Sequence, residues 1–211
     1  MALHILMRIF GVFVVATVCF FSIYNGTTLF TLHPVLMSSG FLLLMSEAIV
    51  AFTSNSFVAS NLKYNERLTL HWMLQLSAAT LIGLAFFSIY SHKNNNNYDH
   101  FVTRHASLGL TTCLMLVGTM CGGIAARYSS AFRKKIKPAL LKIIHSIVGV
   151  ITYTMAIITF CLGIDSEWFR AQSGAKLVTI LTYSTGILAI LALIQPFLSI
   201  LTKMRKVNNE N

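Results

Sequence analysis

Leu32-His33-Pro34-Val35-Leu36-Met37 places an imidazole and a proline at the mouth of an apolar run that continues to about Phe52. The same placement recurs at Leu70-His71-Trp72, at Arg104-His105-Ala106 and at Ile144-His145-Ser146. Each histidine stands within the first few residues of such a run. Around these four, apolar segments fall at about 5–24, 32–52, 68–90, 101–125, 141–162 and 176–201. Crossing the hydrocarbon layer takes about 20 residues of helix, and every segment is long enough. Helices are expected rather than barrel strands, because backbone polar groups must be satisfied within lipid and no period-2 alternation is present.

The composition agrees. Only 10% of the 211 residues are charged, 55% are hydrophobic and the mean hydropathy is +0.71, whereas soluble chains carry about 25% charged residues. The expected fold is an all-α integral membrane protein of six transmembrane helices, one domain over residues 1–211, with spans two to five forming a central four-helix bundle. The net charge of +10 would suggest nucleic acid in a soluble protein. Here the basic residues flank the apolar runs and read as topology signals, so membrane lipid is the expected partner and nucleic acid is not. The first run carries Arg8 but is longer than a signal core and lacks a small-x-small cleavage site, so it is taken as a retained span. Cys19, Cys113, Cys121 and Cys161 lie inside apolar runs without metal-type spacing and read as small buried residues.

Twelve of the sixteen lysines and arginines fall on one set of flanks: Arg8, Lys63, Arg67, Arg127, Arg133, Lys134, Lys135, Lys137, Lys142, Lys203, Arg205 and Lys206. The positive-inside bias therefore puts both termini in the cytoplasm. The opposite loops include Asn25-Gly26-Thr27, a glycosylation acceptor pattern that is usable only if this side faces a lumen or the exterior. With this topology His33 and His105 enter from the outer side, and His71 and His145 from the cytoplasmic side. Alternate members of an up-down-up-down bundle stand diagonally across its core, which yields two facing pairs, one near each surface.

Two imidazoles facing across a bundle core suit the axial positions of a b-type haem. Small residues recur around them. Gly109 and Gly149 lie four residues after His105 and His145, Gly40 lies seven after His33, and Gly123 and Gly163 return to the same faces eighteen residues on, at the level of the other pair. They leave room for a porphyrin edge, or serve as helix-packing contacts. The two sites would differ in depth by about 20 Å, short enough for an electron wire without moving parts. Pro34 fits the first turn of a helix, where no backbone donor is needed. Glu47, fourteen residues past His33 and so about 21 Å deeper on nearly the same face, is a candidate to orient a ligand histidine or to pair with a basic residue. Gln75, four after His71, is a candidate hydrogen-bond donor.

His33-Pro34-Val35-Leu36-Met37 followed by Ser46-Glu47-Ala48, with His71-Trp72-x-Leu74-Gln75, Val102-Thr103-Arg104-His105 and Lys142-Ile143-Ile144-His145, resembles the cytochrome b561 family, in its single-domain branch, over about residues 29–170. The resemblance implies an ascorbate-dependent transmembrane reductase with two haem b groups per chain. One would be held by His71 and His145 on the cytoplasmic side and one by His33 and His105 on the outer side. Electrons would pass from cytoplasmic ascorbate to monodehydroascorbate radical or ferric iron outside. It further implies an endomembrane, endoplasmic reticulum or vesicle, in preference to the plasma membrane, and allows a homodimer. The short outer loops carry no appended domain, so the acceptor would be small.

Ascorbate is an anion, and Arg67 one turn before His71 and Lys142 three residues before His145 would set cations toward the donor-side haem; topology signalling accounts for both equally well. On the acceptor side His92, Lys93, His100 and Arg104 supply donors. Two other readings compete. A quinone-linked di-haem cytochrome subunit would need a soluble redox partner, and a histidine-lined proton or metal transporter would need no haem.

Overall fold

The computed structural model describes residues 2–24, 26–53, 59, 61–132 and 136–209. The α-helices are α1 (Ala2–Ile23), α2 (Leu29–Ser38), α3 (Ser46–Val50), α4 (Tyr64–Asn95), α5 (Arg104–Arg127), α6 (Pro138–Ile164), α7 (Glu167–Ser173) and α8 (Ala175–Asn209). A π-helical stretch, Ser39–Met45, joins α2 to α3, making them one span. Six helical stretches are then long and apolar enough to cross a membrane, at the six places marked by the sequence, and no strand occurs among the described residues. The expected all-helical, six-span architecture is what the chain adopts.

Local sequence explains the helix ends. Thr28 and Thr31 form a reciprocal capping box that starts α2. Thr103 accepts from the Ala106 amide at α5, and Pro138 opens α6, where a missing N–H costs nothing. Gly174 takes φ +81° between α7 and α8, a left-handed conformation natural to glycine. An even number of spans brings both termini to one end of the molecule, here the terminal end; the other is the distal end.

The helices pack side by side in the order α4, α2, α1, α8, α6, α5, with α3 also against α4 and α8. Among the described residues α4 and α5, adjacent in the chain, have few backbone contacts with each other. The arrangement is an arc with its mouth between them. Its densest apolar packing runs through Val14 and Val18 of α1, Leu42 of the π-helical stretch, Tyr153 of α6 and Leu181 and Leu188 of α8. Lipid tails are as apolar as leucine, so this core is held by van der Waals fit rather than by removal from water. Many large apolar side chains, such as Leu84, Phe87, Leu114 and Ile190, are exposed, as a lipid-facing surface requires.

Three sequence expectations change. Pro34 lies inside α2, not in its first turn, because the Thr28 cap starts the helix at Leu29. It offers no N–H to the Phe30 carbonyl four residues earlier. Glu47 does not share the face of His33. A π-helical turn accommodates about one extra residue, which rotates the remainder of the span by about 100° relative to an unbroken α-helix. Glu47 accordingly faces α1, where its carboxylate accepts from Arg8 Nε at 2.6 Å and Nη2 at 2.8 Å. Of the two roles considered for it, pairing with a basic residue is the one realised. Cys121 is exposed rather than buried, and the other three cysteines are half-buried. Asn25, Arg133, Lys134 and Lys135, and the side chain of Lys206, lie outside the described residues, and with them the glycosylation pattern and part of the basic flank.

Candidate functional site

The histidines meet as expected from the bundle. His33 of α2 faces His105 of α5 with ring centroids 6.0 Å apart and planes at 86°, near the distal end. His71 of α4 faces His145 of α6 at 6.3 Å and 88°, near the terminal end. Metal–imidazole bonds of about 2.0–2.1 Å, with about 1.1 Å from each ligating nitrogen to its ring centre, place two centroids about 6.3 Å apart across one metal ion. Both pairs match this spacing. Among the described residues no three of His, Cys, Asp and Glu cluster as a multidentate metal centre would. Two imidazoles per site, with the other positions left to the cofactor, is the donor set that fits haem iron.

Backbone carbonyls orient the rings. His33 Nδ1 lies 3.1 Å from Ala85 O, His71 Nδ1 2.8 Å from Ala48 O, and His105 Nδ1 2.9 Å from Thr159 O. A carbonyl can only accept, so each of these Nδ1 atoms carries the proton and Nε2 keeps its lone pair for a metal. The acceptors obey a rule. Ala85 lies fourteen residues after His71, Thr159 fourteen after His145, and Ala48 fifteen after His33. The odd one reflects the π-helical stretch, which adds one residue to that span. For His145 the counterpart is Thr119, fourteen after His105; its backbone lies toward Nδ1, but not in hydrogen-bond geometry, and that nitrogen is buried without a partner.

Helices α5 and α6 carry the same pattern, His-x3-Gly-x2-Thr-x6-Thr-x3-Gly, over 105–123 and 145–163. Packed antiparallel, each copy serves the other. A Cβ built on Gly163 would stand 2.9 Å from His105 Cε1, and one on Gly123 3.1 Å from His145 Cε1. Gly109 and Gly149 meet methyl groups of Thr159 and Thr119 at ordinary distances, 3.5 and 3.8 Å. Thr112 and Thr159 pair through their hydroxyls at 3.3 Å, and Thr119 and Thr152 at 2.8 Å. Gly123 and Gly163 thus stand at the expected level, but the nearest atoms are those of imidazoles. Gly40 is a packing contact, with its Cβ position 2.9 Å from Ile82.

This geometry is accompanied by a likeness in sequence. The family model for eukaryotic cytochrome b561 matches residues 32–170, a stretch that contains all four histidines. The chain belongs to the cytochrome b561 family. It is 34% identical to transmembrane reductase CYB561D2 of Homo sapiens over 189 residues, covering 87% of this chain and 78% of that one. With the protein of the same name from Mus musculus it shares 32% over 184 residues, with the same coverage. Lysosomal membrane ascorbate-dependent ferrireductase CYB561A3 of Rattus norvegicus is 27% identical over 176 residues, covering 79% and 67%. As a cytochrome b561 the chain is a multi-pass membrane oxidoreductase of the haem b class that acts in transmembrane electron transfer.

Around the terminal pair of this cytochrome b561, Arg67 turns back to its own loop, with Nε donating to Leu62 O at 2.9 Å. Lys142 is exposed. Lys203, near the end of α8, is half-buried and interacts electrostatically with both Lys142 and the His145 ring. In the sequence Lys203 reads only as a topology signal, since nothing in its neighbourhood tells that α8 packs on α6. Phe52 also packs on His71, at 5.2 Å between ring centres.

At the distal pair the four expected residues separate. His100 stacks on Tyr90 at 4.4 Å and pairs with Asn94 Oδ1 at 2.8 Å, and Lys93 Nζ donates to Asp99 O at 2.5 Å. Both hold the α4–α5 loop, in which Phe101 is kept at φ +57°. Arg104 is exposed at the start of α5, beside His105. His92 turns the other way, toward Phe30, with ring centres 5.4 Å apart.

Proposed function

We propose that this cytochrome b561 carries electrons from ascorbate at its terminal, cytoplasmic end to a small acceptor at its distal end, through two haem b groups. His71 and His145 would hold one, and His33 and His105 the other. The observation that carries this reading is the pair of imidazole–imidazole spacings, 6.0 and 6.3 Å, one near each end of the same bundle. When bound, each haem supplies reversible one-electron iron chemistry.

The protein's own groups do the rest. Three backbone carbonyls hold the Nδ1 protons and leave Nε2 atoms directed at the metal positions. The Gly123 and Gly163 turns admit the rings of His145 and His105. Lys142 and Lys203 form a doubly cationic patch beside His145 that attracts an ascorbate anion, and favours loss of the proton that leaves with its electron. Arg67 contributes there chiefly by shaping the loop before α4. At the distal end Arg104 and His92 border the exit, toward monodehydroascorbate or ferric iron.

The purified protein's visible spectrum and haem content test the reading directly, with b-type bands and two haems per chain expected. Vesicles loaded with ascorbate should reduce an external acceptor, and His71→Ala or His145→Ala should abolish that flow while leaving one haem. A protein without haem would restore the transporter alternative. Reduction by quinols but not by ascorbate would favour the quinone-linked cytochrome.

A further inference from the structure

Three consecutive residues at the end of the second span are each tied to a different helix. Ser46 Oγ lies 2.6 Å from the Tyr153 hydroxyl of α6, Glu47 pairs with Arg8 of α1, and the Ala48 carbonyl accepts from His71 Nδ1 of α4 at 2.8 Å. They follow directly on the π-helical stretch Ser39–Met45. The extra residue in that stretch makes Ala48, rather than Glu47, the one whose backbone reaches His71. The orientation of one terminal ligand thus depends on a departure from regular helix.

A π-helical turn is rare and persists only where its surroundings fix it. Here both ends are fixed. At the start, a Cβ built on Gly40 would stand 2.9 Å from Ile82 Cγ1 and 3.2 Å from Ala78 O, so the backbone rests directly on α4. At the end, Ser46 Oγ bonds to Tyr153 and lies 3.4 Å from Phe41 O, five residues back. Ser46 is 1% exposed and Tyr153 is fully buried. Helix α3 itself has five residues, too few to hold a register alone. The long Arg8 side chain can follow Glu47 through a small rotation, whereas a short bond between two closely packed groups cannot. A rotation of about 20° at the helix radius of about 2.3 Å moves the backbone by about 0.8 Å. That is enough to carry the 2.8 Å contact between His71 and Ala48 out of hydrogen-bond range.

We propose that the Ser46–Tyr153 hydrogen bond is a positioning contact for the terminal site, holding the π-helical register of the second span so that the Ala48 carbonyl meets His71. The inference rests on the reading that His71 and His145 hold a haem. A hydrogen bond from Nδ1 to a carbonyl raises the basicity of the ligating Nε2 and so favours ferric iron. Losing it raises the midpoint potential of that site and frees the His71 ring to turn from its 88° angle with His145. The distal site takes its carbonyls from Ala85 of α4 and Thr159 of α6, and serves as an internal control.

Redox titration and EPR of the purified, haem-loaded protein test this, since the EPR signal of a ferric haem with two imidazole ligands follows the angle between their planes. The terminal component is the one absent from His145→Ala. Tyr153→Phe keeps the ring and drops only the hydroxyl. It should raise the terminal midpoint by about 30–60 mV, a three- to tenfold shift in a one-electron equilibrium, and move the terminal EPR signal, with the distal component unchanged. Ser46→Ala should do the same, and the double variant should match either single, because all three lose one and the same bond. No shift, an equal shift of both components, or additive shifts in the double variant overturn the proposal. Should Tyr153→Phe not accumulate, Ser46→Ala decides by whether the terminal component alone moves. Wild-type protein with fewer than two haem components would refute the functional reading, and amide hydrogen exchange of the haem-free protein then judges the register by itself. Tyr153→Phe should speed exchange across residues 39–50 at least fivefold but not across α5, and unchanged rates overturn the proposal.

Discussion

Substituting Gly163 by alanine isolates what the glycine cradle does for the distal site. The new Cβ would lie 2.9 Å from His105 Cε1 and 3.2 Å from its Nδ1. Carbon atoms rest at about 3.5–4.0 Å, so the ring must retreat by about 0.5–1 Å. Metal–ligand distances tolerate only about ±0.2 Å. The same retreat breaks the 2.9 Å contact from His105 Nδ1 to Thr159 O. Losing the orientation of one ligand typically weakens metal binding about 10–100-fold. Helix α6 would not suffer, since alanine is favoured over glycine in a helix by about 1 kcal/mol. The expected result is a haem-to-protein ratio falling from two toward one, measured by haemochrome assay, with one component lost from the redox titration and no drop in thermal stability of the apoprotein. Gly109→Ala and Gly149→Ala, whose Cβ positions meet neighbours at 3.5 and 3.8 Å, should keep both haems. Two haems with unaltered potentials in Gly163→Ala would refute the reasoning.

Individual contacts carry further expectations. Glu47→Gln leaves the Arg8 guanidinium without its bidentate carboxylate inside a span and should lower stability in detergent by about 1.5–3 kcal/mol; the Arg8→Leu/Glu47→Leu double variant should recover much of this. Thr119→Val deletes one hydroxyl of the Thr119–Thr152 pair and should cost about 0.6 kcal/mol in thermal unfolding, in line with interhelical hydrogen bonds in membranes, with haem content unchanged. Lys203→Met should raise KM for ascorbate about three- to fivefold, the worth of one partly screened charge. Its effect should shrink at high salt in stopped-flow reduction.

The spans and the pairing of His33 with His105 and of His71 with His145 were legible because both depend on local quantities, hydropathy and position relative to a membrane surface. Details set by other helices were not. The place of Glu47 turned on the π-helical stretch Ser39–Met45, a departure from 3.6-residue periodicity that no residue type announces. Lys203 could be seen as basic and terminal, but not as a neighbour of His145, since its place is set by the packing of α8 on α6. His92, Lys93 and His100 share one short stretch of chain, yet one turns toward α2 and two hold the loop. The repeated pattern on α5 and α6 was in plain view; without its antiparallel register the glycines suggested space for a porphyrin, whereas Gly123 and Gly163 face the other helix's imidazole and Gly109 and Gly149 its threonine methyls.

The open side of the helical arc has a consequence for biogenesis. Helices α4, α2, α1, α8, α6 and α5 form an unbroken chain of neighbours, while α4 and α5 touch sparsely and are linked by a short loop. Each histidine pair joins one arm of the arc to the other, α2 to α5 and α4 to α6. Six inserted helices would therefore assemble before receiving a cofactor, and a macrocycle partitioned into the bilayer would enter between α4 and α5. Maturation would then be a lateral event at the membrane, needing no unfolding of either arm.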